Sequence, residues 1–304
     1  MWTTAGATSL SVLAFFSMGW TSASRDRWKE SAPGEVVGKA EGWLRGYLPG
    51  TDREEALVAL ALCESAGYSE AEEAKEAARR AMGRLLARQR EDGSWDDPHD
   101  TVWAAIALKS AQVSGLELPE GSSDRVANWL GQRLKSGGGD AEAFASLLWR
   151  HSPHDPALRR IVYDSARNLP DVSKPDFVRC YFGSLAAFQY DAGGFRSGPD
   201  RHWVNGLRRA LAMTAEVGGG WSGDIATTGA VVRNALGSMS LMRFTRSSSS
   251  IDGPPVELPP LEDEAVAEVG TGMGDDAPLD GVQDSGSDLL MGDSAPVQEA
   301  SETE

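Results

Sequence analysis

Residues 80–95 read Arg-Ala-Met-Gly-Arg-Leu-Leu-Ala-Arg-Gln-Arg-Glu-Asp-Gly-Ser-Trp, and the stretch divides into two parts. Up to about Arg90 the apolar positions follow a helical period. Asp92-Gly93 then marks a turn, and Trp95 follows. Two partial echoes lie at similar distances. Lys39-Ala40-x-x-Trp43-Leu44 comes before it, and Arg125-x-x-x-Trp129-Leu130, with Gly138 eight residues on, comes after it. The steps from Leu44 to Leu85 and from Leu85 to Leu130 are 41 and 45 residues. A period of that size is the mark of a repeat built from helical hairpins. Weaker echoes follow at Gln189-x-x-x-Gly193-x-Phe195 and Gly219-x-Trp221.

Working outward, apolar residues keep the 3.6-residue spacing from 35 to 243, as at Leu57/Leu60/Ala61, Val102/Ile106/Ala107 and Phe144/Leu147/Leu148. Alanine is abundant and β-branched runs are rare, so the fold class is all-α. Turn signals divide the region into helices at 35–48, 52–66, 70–90, 100–114, 124–136, 140–151, 155–168, 176–189, 202–217 and 225–243. Paired in order they make five antiparallel hairpins. Asp52, Asp100-Thr101, Asp124, Asp140, Asp155 and Asp224 stand where N-terminal caps are expected.

Residues 80–95 resemble the QW repeat of the squalene and oxidosqualene cyclases and the related prenyltransferase repeat. That pattern is a basic residue, a small one, an aromatic–aliphatic pair, then Gln-x-x-x-Gly-x-Trp. The match fails at Arg84, where the family carries an aromatic. The resemblance is close over 75–115 and loose over 35–243. It implies an α/α toroid, a ring with one helix of each hairpin inside and one outside. It also gives three residues a joint task. Gln89 caps a helix end, Gly93 permits the turn, and Trp95 packs over the start of the next helix. Full toroids of this family have about six or seven hairpins, so the ring is incomplete or is completed by the N-terminal segment or a partner.

The resemblance brings two catalytic patterns, and each is incomplete. Bacterial terpene cyclases protonate an alkene with D-x-D-D-T. Here Asp97-Pro98-His99-Asp100-Thr101 keeps the outer acids and the threonine but places His99 at the proton donor. Alkene protonation needs a strong, desolvated carboxylic acid, which histidine does not supply. Protein prenyltransferases hold zinc with Asp-x-Cys and a distant histidine. Cys180 is present, but Val178 replaces the acid, and His202 is the only candidate third ligand. No metal and no cofactor are therefore expected. Trp95, Phe195, Trp203 and Trp221 are candidates to line a pocket for an apolar ligand, against the plainer role of packing one repeat on the next. No P-loop, dinucleotide fingerprint or Gly-x-Ser-x-Gly elbow is present. If an enzyme at all, the chain would act on a polyprenyl or related apolar substrate through Asp97, His99 and Asp100. The expected function is instead a non-catalytic binding or scaffold module with a protein partner or an apolar ligand.

The two ends carry separate signals. Residues 5–20 hold no charge and sit at the short limit for a membrane span. Ser22-Ala23-Ser24 suits a leader cleavage site, but no Lys or Arg precedes Arg25. Residues 1–24 are read as a signal peptide or a membrane anchor, with a buried helix as the alternative. The domain then spans 25–246. The first two readings place the protein at the cell envelope, secreted or anchored, and the alternative location is cytoplasmic. From 251 to 304 there are 15 acids and no Lys or Arg, which leaves −1 of the net charge of −16 for residues 1–250. The tail, 247–304, is expected to be disordered, with an apolar island at Leu289-Leu290-Met291. A near-neutral body argues against a nucleic-acid binder. Two cysteines without CxxC spacing, Cys63 and Cys180, argue against a disulfide scaffold.

Overall fold

The computed structural model describes residues 3–28, 30–69, 71–149, 151–171, 173–190, 198–216, 220–222 and 229–245. All of these lie within one compact unit, Met1–Pro260. The tail read at 247–304, Phe195 and the cap expected at Asp224 fall outside the described residues.

The described residues form eleven helices: α1 (Thr4–Ser17), α2 (Pro33–Gly46), α3 (Asp52–Tyr68), α4 (Glu72–Leu86), α5 (Pro98–Val113), α6 (Ser122–Lys135), α7 (Asp140–Leu148), α8 (Pro156–Arg167), α9 (Phe177–Tyr190), α10 (Gly198–Thr214) and α11 (Ala230–Thr245). The odd-numbered helices close a cycle: α1 packs on α3, α3 on α5, α5 on α7, α7 on α9, α9 on α11, and α11 on α1. The even-numbered helices pack against them. Composition sorts the two sets. α3 is buried without a break from Glu54 to Cys63, and α5 and α7 are similarly enclosed. Their alanines, among them Ala56, Ala59, Ala104, Ala105, Ala107, Ala143 and Ala145, let the ring helices approach closely. α4 and α8 are amphipathic instead, with one apolar stripe inward and arginines outward.

The apolar N-terminal run is one of the ring helices. Leu10, Val12, Leu13 and Phe16 of α1 are buried, and α1 bridges α3 and α11. It has 14 residues, and no described helix is long and apolar enough to cross a membrane. After α1 the chain turns at Gly19, whose φ is 85°, and runs back over α2. The backbone at Ser24 lies so close to Gly34 that no side chain fits there.

The turn after α4 joins three parts of the fold. Gln89 Nε2 donates to the carbonyls of Gly93 (3.3 Å) and Ser122 (3.2 Å), and its Oε1 accepts from Arg125 (2.7 Å). Gly93 has φ of 90°. A Cβ there would collide with the Arg125 carbonyl at the start of α6. Trp95 is buried. Its indole N–H donates to the Leu85 carbonyl (3.0 Å), and its backbone N–H donates to Thr101 Oγ1 (2.9 Å). The three residues thus tie α4, α5 and α6 together. The same backbone closure recurs at the last echo: Arg90 N–H donates to Ser94 O (2.9 Å), and Glu216 N–H donates to Gly220 O (3.0 Å).

The caps lie earlier than the sequence suggests. α3 is capped by Thr51, which forms a capping box with Glu54, and Asp52 instead holds Arg88 (3.0 Å). α5 is capped by Asp97, because Pro98 at the first helical position starts the helix before Asp100. Gly121 and Gly139 occupy the N-cap positions expected for Asp124 and Asp140. Asp155 caps α8 as expected, accepting from the N–H groups of Ala157 and Leu158.

One half-buried acid near the end of α3 gives a testable consequence. Glu64 accepts a hydrogen bond from the Ser110 hydroxyl (2.7 Å), and burial pushes its carboxyl above the ordinary range. A raised acid takes up its proton on folding, so stability falls as pH rises from the ordinary carboxylate value to the folded one. Glu64→Gln removes that loss. At pH 8 the variant is expected to melt higher than the wild type, and at pH 4 to gain nothing. Equal shifts in thermal melts at both pH values would contradict a titrating Glu64.

Candidate functional site

The helices α1, α3, α5, α7 and α9 begin on one rim, as their contacts show. Thr3, which caps α1, shares a hydrogen bond with Glu54 of α3. Arg53 of α3 pairs with Asp100 (2.6 Å) and Asp97 (3.7 Å) at the start of α5. His99 shares a cleft with Asp140 at the start of α7 and with Asp176, beside the start of α9. Thr3, Asp97 and Asp176 are placed by one local rule: an acid or hydroxyl at a helix start meets free backbone N–H groups. Thus Asp176 Oδ1 accepts from Val178 and Arg179 N–H (2.9 and 3.1 Å), and the Glu142 carboxylate accepts from Gly139 N–H (3.0 Å).

The cleft has a volume of about 650 Å³. The 137–139 glycine turn, the starts of α7 and α9, and α8 wall it. Its charged and polar groups are Asp140, Glu142, Asp164, Asp176, Arg160, Arg179, Asn168 and His99, and Phe182 contributes an apolar wall. Asp140 is half-buried there. Burial pushes its carboxyl above the ordinary range, against the opposing pull of Ser165 and Arg179. The Arg179 Nε stands 3.5 Å from Asp140 Oδ2. The same guanidinium donates to the Asn168 carbonyl and lies 5.8 Å over the Trp203 ring. Glu142 is held by Arg133 (3.0 Å). The cleft therefore presents charge of both signs at fixed positions.

Of the residues picked from sequence, His99 reaches this cleft, from the exposed surface. Asp97 caps α5 by accepting from His99 N–H (2.8 Å). Asp100 is buried beside Arg53, and burial lifts its pKa while Arg53 pulls it back. The tryptophans do not meet. Trp95 is sealed in the α4–α5 turn. Trp203 is buried on α10, its indole N–H donating to Ser184 Oγ (2.9 Å). Trp221, half-buried, covers Gly237 of α11 and faces Phe177 (6.3 Å). Cys180 is buried on α9 with its thiol pushed up to about 12 by burial. His202 stands on α10. No group of three or more His, Cys, Asp or Glu suited to a metal occurs among the described residues.

The aromatic cluster that does form was not picked from sequence. Trp103 of α5 stacks on Tyr181 (5.8 Å) and packs on Phe182 (4.9 Å) of α9, and Phe144 of α7 packs on Phe182 (6.3 Å). These rings fill the space between three ring helices just behind the cleft. Their only signal in the sequence is helical periodicity, which any core aromatic shares. Asp140 was read from sequence as a helix cap, and Arg179 was not singled out. No family model and no curated protein matches the chain.

Proposed function

We propose that this chain is a non-catalytic binding module of the α/α-toroid type, similar to the cyclase and prenyltransferase repeat proteins, and that it uses its rim cleft to hold a partner. One observation carries the reading. An open concavity of about 650 Å³ lies at the rim around Asp140 and Arg179, and beside it Trp103, Phe144, Tyr181 and Phe182 pack on one another. A pocket walled by fixed charges of both signs suits a polar, charged segment better than a polyprenyl chain. The proton-donor position holds His99, and the acid next to it is already engaged. Asp100 is tied to Arg53 at 2.6 Å, and a paired carboxylate gives up no proton to an alkene. The envelope location expected for residues 1–24 requires them to act as a leader or an anchor. Residues 4–17 pack as α1 against α3 and α11, which supports a place for them in the domain.

The test uses the full chain with a photo-crosslinking side chain at Asn168, on the wall of the cleft, in cells of its source. A discrete adduct is expected, lost when Asp140→Arg is added and unaffected by His99→Ala. In parallel, squalene and farnesyl diphosphate are expected to be recovered unchanged. Turnover by the wild type that disappears in Asp100→Asn would replace this reading with a cyclase-like or prenyltransferase-like enzyme.

A further inference from the structure

We infer that the groove between α4 and residues 115–119 is a docking site for an extended aliphatic–acid–aliphatic–proline peptide, and that the chain's own Val256-Glu257-Leu258-Pro259 occupies it. The groove is separate from the rim cleft, and its volume is about 790 Å³. Met82 and Leu86 of α4 line one side, and Leu116, Leu118 and Pro119 line the other. Gly83 bares the α4 backbone beside them. It is exposed, and a Cβ added there meets nothing within 4 Å.

The wall opposite α4 already has the form of such a peptide. Residues 116–119 are Leu-Glu-Leu-Pro and lie outside any helix. Leu116 is buried and Leu118 half-buried, while Glu117 and Pro119 are exposed. That is the two-residue alternation of an extended chain. Its backbone is open. Leu116 N–H donates to the Ala111 carbonyl (2.9 Å), and Ser122 N–H donates to the Pro119 carbonyl (3.3 Å). Between them, the N–H groups of Glu117 and Leu118 have no partner among the described residues. An extended run with free N–H groups beside an apolar trough is a receiving edge for a strand-like peptide.

The sequence supplies the occupant. Glu-Leu-Pro occurs twice in the chain, at 117–119 and 257–259, each time after an aliphatic residue. Residues 256–259 lie outside the described residues. On an extended backbone Val256 and Leu258 share one face, which suits Met82 and Leu86, and Glu257 turns to water as Glu117 does. Pro254, Pro255, Pro259 and Pro260 flank the segment. They reduce the entropy lost on docking and confine backbone pairing to 256–258. The tether is long enough. Val256 is eleven residues on from Thr245, a reach of up to about 36 Å when extended. The way from α11 to α4 is three helix contacts, through α1 and α3, or roughly 25–30 Å at 8–10 Å each. Tethering sets an effective concentration on the order of millimolar, which lets so short a contact form.

A diazirine side chain at Ala87, exposed on the α4 wall of the groove, tests the inference in the full chain. Illumination of dilute protein is expected to give an adduct within one chain that maps to residues 254–260. Its yield should fall at least tenfold in Leu258→Asp. It should fall as far in Gly83→Leu, whose thermal melt holds or rises because a glycine leaves a helix interior. A synthetic peptide of residues 252–260 in millimolar excess should compete the adduct away. An adduct that joins two chains and grows with protein concentration overturns the inference and gives the groove to a second copy. An adduct elsewhere in the chain, no adduct, or one indifferent to both substitutions overturns it as well.

Discussion

A chain starting at residue 25 should fail to show a cooperative thermal transition and should bind a hydrophobic dye at temperatures where the full chain does not. Removing α1 strips cover from both α3 and α11 and deletes the buried Leu10, Val12, Leu13 and Phe16. At roughly 1.5–3 kcal/mol for each large apolar side chain, the loss is on the order of 10 kcal/mol. That is comparable with the entire stability of an ordinary domain, about 5–15 kcal/mol. Calorimetry of the two chains side by side decides the matter. A truncated chain that melts cooperatively within a few degrees of the full one would show that α1 is dispensable. N-terminal sequencing that begins at Arg25 in the mature protein would then return residues 1–24 to the role of a leader.

Trp95→Ala should cost on the order of 3–5 kcal/mol, the usual range for deleting a fully buried aromatic, and lower Tm by roughly 10 °C. The indole fills the angle between α4 and α5, and its N–H satisfies the Leu85 carbonyl at the end of α4. Alanine would leave a cavity and would reduce the Leu85 carbonyl to its bond from Arg88 N–H (3.1 Å). Trp221→Ala is the internal comparison. It sits in the equivalent closure but is only half-buried, and should cost less. A Tm unchanged in Trp95→Ala would sink the staple assignment.

Ten of the helices were legible from spacing, because an outer helix such as α4 writes its one-sided burial directly into sequence. The eleventh was not, for a physical reason. A ring helix is apolar on every side, so residues 5–20 carry no stripe, and length and composition alone do not separate a buried helix from a leader. Caps were misplaced wherever a residue other than the nearest Asp started the helix, as Pro98 does for α5 and Gly139 for α7. The candidate cleft was the least legible part. Asp140 and Arg179 are far apart in the chain and meet only once α7 and α9 are neighbours in the ring. His99 reached the cleft although it was singled out for a different task. Trp95, chosen both as staple and as pocket wall, serves in this structure as the staple.

The common direction of the ring helices makes the domain an electrical object as well as a packed one. Five helices starting on one rim set their peptide dipoles side by side, each contributing about half a positive charge at that end. The backbone alone would therefore make the rim strongly anion-seeking. Asp52, Glu54, Asp97, Asp100, Asp140, Glu142 and Asp176 stand on that pole as a covering layer of opposite sign. Glu64 sits toward the other end of α3, near its negative pole, where the field favours keeping its proton. A ligand entering the cleft thus meets side chains that largely cancel a field built into the main chain. Small changes in those acids can reverse the sign of charge the rim attracts while the fold stays as it is.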